Sequence, residues 1–235
     1  MRIDLNADLG ESAERWASGE DLALLKLVTS ANVCCGAYAG DDELIAATCA
    51  ACVEHDVAIG AQVGYPDREG FGRVPMEMSP DVLRDEVAGQ IGHLADLAKP
   101  ADGQVTYVKP HGALYNTIVS DDSQAAGVVE AVRNAGLPLV GLPGAASLRL
   151  ARAAGVPVVR EGFADRGYTD EGTLIPRSKP GALLSDPREA ALQAVRLLHD
   201  GVDSICVHSD SPGALDIARA VLVALQYAGA EVRHP

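Results

Sequence analysis

Short apolar segments alternate with amphipathic helical segments along almost the whole chain, and this alternation most constrains the fold. The segments with strand character span residues 3–9, 28–35, 57–63, 106–109, 137–142, 156–160 and 204–208. Strands that alternate with helices pair in parallel, and short apolar strands are typical of a sheet covered on both faces. The sequence therefore predicts an α/β protein, a (β/α) barrel of about seven parallel strands that forms one domain over residues 1–235. A doubly wound open sheet is the alternative.

Several helix starts carry residues that favour that position. Ser18 followed by Asp21 resembles a capping box and predicts that a helix begins there. Ser79 and Pro80 match the preferences of an N-cap and of the first helical residue. Further helices are predicted at residues 122–134, 187–199 and 214–228.

Charge and hydropathy exclude two classes of partner. Lys and Arg number 19 against 33 Asp and Glu, so the net charge is −14 and nucleic acid phosphates are repelled. No segment approaches the roughly 18 apolar residues of a membrane span. The first residues, MRIDLNADLGE, lack the apolar core of a signal peptide. We therefore expect a cytoplasmic protein that binds neither nucleic acid nor membrane.

The cysteines fit the same compartment. Their number is 5, and an odd count does not make a disulfide framework. Cys49 and Cys52 form a CxxC motif, but it lies in an alanine-rich helical stretch and has no second CxxC to complete a zinc site. We expect the cysteines to pack in the core.

Polar residues cluster where the predicted strands end. These residues are Asn6, Asp8, Glu11, Asn32, Gln62, Lys109, His111, Glu161, Asp165, Arg166, His208 and Asp210. The active sites of α/β folds lie at the carboxyl ends of the strands, whether the sheet is closed or open. Helix capping is the alternative explanation for some of them. It does not explain the Lys109-Pro110-His111 turn, which holds two titratable side chains on a rigid backbone.

Aromatic residues support a pocket in the same connections. The chain has 9 aromatic residues. Those in the predicted connections are Trp16, Tyr38, Tyr65, Phe71, Tyr115, Phe163 and Tyr168. Aromatic side chains concentrated outside helices favour a lined pocket. Neither a GxGxxG motif nor a P-loop is present, and the turn GLPGAAS is a weak candidate for a phosphate site.

Several blocks together resemble the lactam-utilisation (LamB/YcsF) family. They read DLNADLGE, SANVCCGAYAGD, VAIGAQVGYPDREGFGR, VKPHGALYN, FADRGYTDEGTLIPRS and ICVHSD. The blocks follow the family's order and cover nearly the whole chain. The resemblance implies a seven-stranded barrel related to the glycoside hydrolase/deacetylase superfamily. It also implies the ATP-dependent opening of the lactam 5-oxoproline to glutamate, together with 5-oxoprolinase subunits B and C.

Lactam opening needs a base for water, positive charge for the developing anion and an acid for the ring nitrogen. We expect Asp8 to act as base or to orient water, and Lys109 and His111 to hold the carbonyl or phosphate oxygen and deliver a proton. Arg166 or Arg177 is expected to clamp the substrate carboxylate; a surface ion pair is the alternative for both. The full set of residues expected to bind substrate is Asn6, Glu11, Asn32, Asp165, Arg166, Arg177, His208 and Asp210.

The chain departs from the family pattern at two histidine positions. Tyr38 replaces the histidine of GFHAGD, and Gln62 replaces that of GAHPGYPD. Asp8, His111 and His208 then remain as comparable metal donors, and neutral Gln and Tyr are poor ligands for transition metals. We therefore expect no tightly bound transition metal. The cofactor implied by the resemblance is ATP with Mg²⁺, bound by this chain or by its partner subunits.

Two other functions compete with the hydrolytic one. A diverged relative could keep the fold and the partner surface while its catalysis is lost or altered, and Tyr38 and Gln62 favour this alternative. A lyase could use Lys109 as a Schiff base, although the adjoining Pro110-His111 argues against it. Self-association into a homo-oligomer stays open.

Overall fold

Seven parallel strands close into a barrel in the computed structural model, which describes residues 1–211 and 213–234. The strands are β1 (Arg2–Leu9), β2 (Ser30–Cys34), β3 (Ala58–Val63), β4 (Val105–Pro110), β5 (Leu139–Gly141), β6 (Val158–Phe163) and β7 (Ser204–Val207). They follow one another around the barrel in chain order, and β1 pairs with both β7 and β2. Because this pairing closes the sheet, the predicted barrel is confirmed and the open sheet is excluded. A two-residue strand, β8 (Glu231–Val232), adds to the start of β1.

Helices cover the outside of the barrel. They are α1 (Ala13–Ser18), α2 (Glu20–Leu25), α3 (Asp42–Glu54), α4 (Pro80–Ala98), α5 (Gly112–Thr117), α6 (Asp122–Ala135), α7 (Ala146–Ala153), α8 (Pro187–Asp200) and α9 (Ala214–Tyr227). Asp41, Asp121 and Asp186 each accept a backbone N–H bond at the start of a helix. The predicted start of α4 at Ser79-Pro80 is confirmed. In the described part of the chain, no helix has the length and apolar character needed to cross a membrane.

The predicted capping box at Ser18 is wrong. The first helix, α1, begins earlier, because the Ser12 hydroxyl accepts a hydrogen bond from the Arg15 N–H at 3.3 Å. Ser18 is the last residue of that helix, and α2 starts after Gly19 without a side-chain cap. Asp21 accepts a hydrogen bond from Arg15 Nε at 2.9 Å and does not cap α2. A helix does begin here, since α2 starts at Glu20, but its N-cap is Gly19 and not Ser18.

Strand β6 extends further than its apolar run predicts. The prediction ended at Arg160, whereas the strand continues to Phe163 and includes Glu161. Glu161 pairs in register with Ser204 of β7 and is fully buried. A charged residue in a strand interior ends a hydropathy-based prediction, although a partner in the folded barrel compensates its charge.

The core lies between the barrel and its helices and includes four of the cysteines, Cys34, Cys35, Cys49 and Cys52. All five are buried with free thiols, and Cys49 and Cys52 face the core from α3. Burial raises the pKa of the Cys52 thiol, so this thiol stays protonated at neutral pH. These four cysteines are therefore packing residues, as the sequence predicts, whereas the Cys206 sulfur contacts Lys109 Nζ at 3.1 Å.

Strand β3 should tolerate no side chain at Gly60. An added Cβ would lie 2.1 Å from the Tyr107 ring, whose hydroxyl donates to Asn32 Oδ1 at 2.8 Å. We expect Gly60→Ala to lower the free energy of unfolding by about 1–3 kcal/mol, because the ring must move and that bond is strained. Urea denaturation measures the change.

Gly89 provides the matched control, since it lies in the exposed middle of α4 with no atom within 4 Å of an added Cβ. Gly89→Ala should raise the free energy of unfolding by about 1 kcal/mol. Equal effects of the two substitutions would contradict the packing described for β3.

Candidate active site at the carboxyl end of the barrel

A cavity of about 550 Å³ opens at the carboxyl ends of the strands. Six of the predicted site residues line it: Asp8, Lys109, His111, Arg166, Arg177 and His208. The other five contact those side chains or their neighbours: Asn6, Glu11, Asn32, Asp165 and Asp210. The structure thus brings the predicted residues together around one cavity, in an inner and an outer layer.

The floor of the cavity is a buried cluster around the Lys109 ammonium. Lys109 Nζ lies 2.8 Å from Glu161 Oε1 and 3.2 Å from Asp8 Oδ1. It also lies 3.2 Å from Asn6 Oδ1 and 3.1 Å from Cys206 Sγ. Strands β1, β4 and β6 are therefore joined through one cation inside the barrel.

Two asparagines fix the orientation of the floor carboxylates. Asn32 Nδ2 donates to Asp8 Oδ1 at 2.8 Å and to Asn6 Oδ1 at 2.7 Å. Asn6 Nδ2 in turn donates to Glu161 Oε1 at 3.0 Å. Because each amide donor meets a buried acceptor, these side chains satisfy the polar groups that β1 and β2 place inside the barrel.

The charges of the floor depend on one another. Burial alone would raise the pKa of the Asp8 carboxyl, but neighbouring charges, chiefly that of Lys109, hold this pKa well below its usual range. Burial would lower the pKa of the Lys109 ammonium, but negative neighbours, Asp8 first, raise it well above its usual range. At neutral pH, Asp8 is therefore a carboxylate and Lys109 an ammonium group.

His111 lies beside this floor, between an aromatic ring and polar groups. Its ring stacks on Tyr38 with centroids 4.1 Å apart and planes 3° from parallel. The ring nitrogens lie 3.1 Å from Gln62 Nε2 and 3.1 Å from the Phe71 carbonyl oxygen. Because a carbonyl accepts and an amide nitrogen donates, we assign the neutral tautomer with the proton on Nε2. Burial lowers the pKa of His111 to about 4, which agrees with a neutral ring.

Among residues 1–211 and 213–234, one group of side chains could hold a metal ion, and it consists of Asp8, Glu11 and His111. Their ligand atoms lie within 4.8 Å of one another. Each of the three side chains already contacts another group. Asp8 forms an ion pair with Lys109, and Glu11 accepts a hydrogen bond from the Tyr38 hydroxyl at 3.2 Å. The Gln62 amide nitrogen contacts a ring nitrogen of His111. Burial raises the pKa of Glu11 well above its usual range, which favours the neutral acid. The Gln62 amide oxygen is buried and without a partner in the described chain, but a neutral amide is a poor ligand for a transition metal. This donor set does not fit a tightly bound transition metal.

His208 and Asp165 form an oriented pair on the opposite wall. Asp165 Oδ1 lies 2.9 Å from His208 Nδ1, and its other oxygen accepts the backbone N–H of His208 at 3.0 Å. The imidazole stacks on Phe163, with ring centroids 5.4 Å apart. Burial opposes ionisation of Asp165, but the charge of His208 and its hydrogen bonds lower the pKa of this carboxyl. Nδ1 therefore carries a proton toward Asp165, and within the described residues Nε2 has no partner.

The rim of the cavity carries arginines of two kinds. Arg73 and Arg177 both pair with Asp210, at 2.6 Å and 3.1 Å. Arg166 donates instead to the carbonyl oxygens of Ala182 and Ile175, at 3.0 Å and 2.8 Å. The Arg166 guanidinium thus links two parts of the loop after β6 to each other. Arg177, on the same loop, pairs with the Asp210 carboxylate.

Several site residues were not selected from the sequence. Glu161 follows the predicted end of β6, and the sequence pattern indicates a polar residue near a strand end without a specific role. Arg73 lies inside the block GYPDREGFGR, and the sequence pattern does not identify it as a site residue. Its position depends on contacts between that turn and the β4 end, which spacing does not reveal.

The fold and the site define the class of protein: a seven-stranded (β/α) barrel with its ionisable groups at the carboxyl ends of the strands, where such barrels place catalytic groups. The chain matches the LamB/YcsF family over residues 3–235 and belongs to that family. It is 50% identical to the A subunit of 5-oxoprolinase from Paracidovorax citrulli, over 99% of both chains. It is 48% identical to the A subunit of 5-oxoprolinase from Streptomyces avermitilis, over 98% of both chains.

Solved structures agree with this assignment. A lactam utilization protein from Thermus thermophilus is 42% identical, with a TM-score of 0.91 over 99% of each chain. A family 4 carbohydrate esterase from Streptomyces lividans is 13% identical, with a TM-score of 0.55 over 98% of this chain and 91% of its own. The second likeness is one of fold alone. The predicted resemblance to a deacetylase-like barrel is therefore confirmed for the fold.

The neutral state of His111 should make stability depend on pH. The unfolded chain binds the His111 proton near pH 6.5, whereas the folded protein binds it only near pH 4. The free energy of unfolding should therefore fall as the pH drops from 6.5 to 4, with His111 contributing up to about 3 kcal/mol of that loss. We expect His111→Gln to lose less stability than the wild type over this interval, as measured by urea denaturation. Parallel pH curves for the two proteins would show that the ring is not held neutral.

Proposed function

We propose that this chain is the A subunit of a 5-oxoprolinase and opens 5-oxoproline by hydrolysis to L-glutamate. The observation that carries the proposal is the pairing of the Lys109 floor with the oriented His208–Asp165 pair across one cavity. The names of the full-length relatives support the choice of substrate. The arrangement supplies fixed positive charge and a proton carrier, which are the requirements of lactam opening.

The reaction adds water across the ring C–N bond. The water oxygen bonds to the carbonyl carbon, the C–N bond breaks, and the ring nitrogen takes up a proton to become the amino group of glutamate. Negative charge develops on the carbonyl oxygen during the attack. The Lys109 ammonium is placed to stabilise that charge, because it is fixed by Asp8 and Glu161 before the substrate enters.

Proton transfer is assigned to His208. Asp165 holds the Nδ1 proton, so Nε2 is free to accept a proton from water and to pass it to the ring nitrogen. Asp8 keeps its negative charge because its pKa is low, and it therefore orients water better than it takes a proton. His111 remains a site residue beside Lys109, but both of its nitrogens are engaged, which favours His208 as the proton carrier.

In this proposal ATP would activate the unreactive lactam by transferring its γ-phosphoryl group to the carbonyl oxygen, with release of ADP, so that the negative charge facing Lys109 lies on the phosphorylated oxygen. Attack by water and cleavage of the ring C–N bond would then give an acyl phosphate, which a second water hydrolyses to glutamate and inorganic phosphate. We assign the binding of ATP and Mg²⁺ to subunits B and C, because the sequence has no P-loop or GxGxxG motif. The working enzyme is then a cytoplasmic complex in which this chain supplies the lactam cavity.

The proposal is tested by turnover of 5-oxoproline to glutamate, with ATP, by this chain together with the products of neighbouring genes. We expect turnover by the complex and none by the partners alone. His208→Gln should lower kcat by about 10²–10⁴-fold, the usual contribution of a positioned acid–base group. His93→Gln is the control, since that exposed side chain pairs with Asp42 away from the cavity. Equal turnover with and without this chain would refute the assignment.

The diverged relative is the second candidate, and the side chains at positions 38 and 62 favour it. Tyr38 and Gln62 engage Glu11 and His111 and leave no imidazole in either place. If this chain assembles with its partner subunits but the complex turns over no 5-oxoproline, the result would support this second function.

We also propose that Lys109 supplies the fixed positive charge of the site and that no transition metal binds tightly. Elemental analysis of the purified chain, after dialysis against a mild chelator, should find zinc, manganese, iron and cobalt well below one equivalent. One equivalent of any of them would contradict the proposal.

The variant Tyr38→His/Gln62→His is the matched comparison for this measurement. It restores two imidazoles beside Asp8 and His111, and it should bind zinc more tightly than the parent chain. The volume changes are small, so we expect a loss of less than about 1.5 kcal/mol in the free energy of unfolding.

A further inference from the structure

Two arginines from different loops converge on one carboxylate at the cavity mouth. Arg73 Nη2 lies 2.6 Å from Asp210 Oδ2, and Arg177 Nη1 lies 3.1 Å from the same oxygen. Both guanidinium groups line the cavity, and all three side chains are 29–39% exposed. The group formed by Arg73, Asp210 and Arg177 therefore carries one net positive charge, on a chain whose net charge is −14.

Arg73 is held in place by the turn that precedes it. Phe71 and Gly72 have left-handed backbone angles, with φ of 57° and 66°. The Gly72 carbonyl accepts the Ala113 N–H at 2.9 Å, which docks this turn on the start of α5, just after β4. The guanidinium lies 4.9 Å from the centre of the Phe71 ring. Arg73 is thus positioned against the segment that directly follows β4, the strand that carries Lys109.

Arg177 reaches the same place from the loop after β6. This loop is fastened by Arg166, whose guanidinium donates to the Ile175 and Ala182 carbonyl oxygens. The backbone on both sides of Arg177 is therefore tied to a buried side chain. Exposed ion pairs contribute little to folding stability, so stability alone does not account for two arginines placed in this way.

We propose that Arg73 and Arg177 form the site for the ring carboxylate of the lactam, and that Asp210 occupies this site as an internal counter-ion until the substrate arrives. The assignment rests on the proposed function. The substrate carboxylate replaces that of Asp210, so the two guanidinium groups remain paired with a carboxylate before and after binding. Planar guanidinium groups suit a carboxylate because they can donate two parallel hydrogen bonds to it. The bound lactam then has its carboxylate at the rim and its amide toward Lys109.

Two lactams that differ in the carboxylate separate this role from a structural one. Calorimetric titration of 5-oxoproline and of 2-pyrrolidinone, which lacks the carboxylate, is carried out on the chain and on its complex with the partner subunits. We expect Arg73→Gln and Arg177→Gln each to weaken 5-oxoproline binding by about tenfold. Binding of 2-pyrrolidinone should change less than about twofold. Arg84→Gln is the control, because Arg84 pairs with Asp81 and Asp85 on the outside of α4.

Asp210→Asn tests the counter-ion directly. Because the substrate no longer competes with a charged side chain, 5-oxoproline should bind several-fold more tightly, while 2-pyrrolidinone binding stays the same. Weaker binding of 5-oxoproline to this variant would overturn the counter-ion role. Equal losses for both lactams in the arginine variants would overturn the carboxylate site.

A third probe distinguishes failure of this site from failure of the proposed function. Cyclopentanecarboxylate carries the carboxylate on a ring without the amide. If the wild type binds neither lactam but binds this probe through Arg73 and Arg177, the proposed function fails and the carboxylate site stands. If it binds none of the three, the carboxylate site fails as well. Tighter binding of inorganic phosphate than of this probe at the two arginines would also overturn the assignment, since the site would then suit a different anion.

Discussion

The buried ammonium of Lys109, shared between the carboxylates of Asp8 and Glu161, is the interaction on which the rest of the site depends. Each carboxylate alone would bear the cost of an uncompensated charge inside the barrel, and the ammonium would bear the same cost without them. Breaking such a buried pair by removing one partner typically destabilises a protein by about 3–5 kcal/mol. The amides of Asn6 and Asn32 add hydrogen bonds to Glu161 Oε1 and Asp8 Oδ1, which ties the cation, both carboxylates and both amides into one cluster.

Burial is the main cause of the charge states of the groups beside this cluster. His111 stays neutral because it is buried, and Glu11 favours its neutral acid because burial and the charge of Asp8 both raise its pKa. Excess positive charge reappears at the rim, where two guanidinium groups face Asp210. An anionic ligand is thus attracted at the mouth and meets a fixed ammonium group at the floor, with uncharged aromatic and amide side chains between them.

The sequence predicted the barrel because its signal is periodic and local. Apolar strands alternate with helices, and polar residues follow the strands, so both the fold and the location of the site follow from spacing. Glu161 and Ser18 show the limit of such reasoning. The extent of β6 depends on a partner that comes from β4, and Ser18 ends α1 where the local pattern predicts that it caps the next helix. Arg73 and the orientation of His208 depend on contacts between distant segments, which no local pattern encodes.

The floor groups sit on strands, whereas the rim groups sit on the loops after β3, β6 and β7. A strand side chain is fixed by the pairing of the whole barrel, but a loop can change length and composition at little cost to the closed sheet. The floor groups and the rim groups can therefore diverge independently in sequence. Relatives that keep Asp8, Lys109 and Glu161 on the strands and the His208–Asp165 pair next to the strand ends, but exchange the outer parts of the rim loops, would retain the reacting groups and acquire a different choice of ligand. Specificity can then evolve on this barrel apart from chemistry.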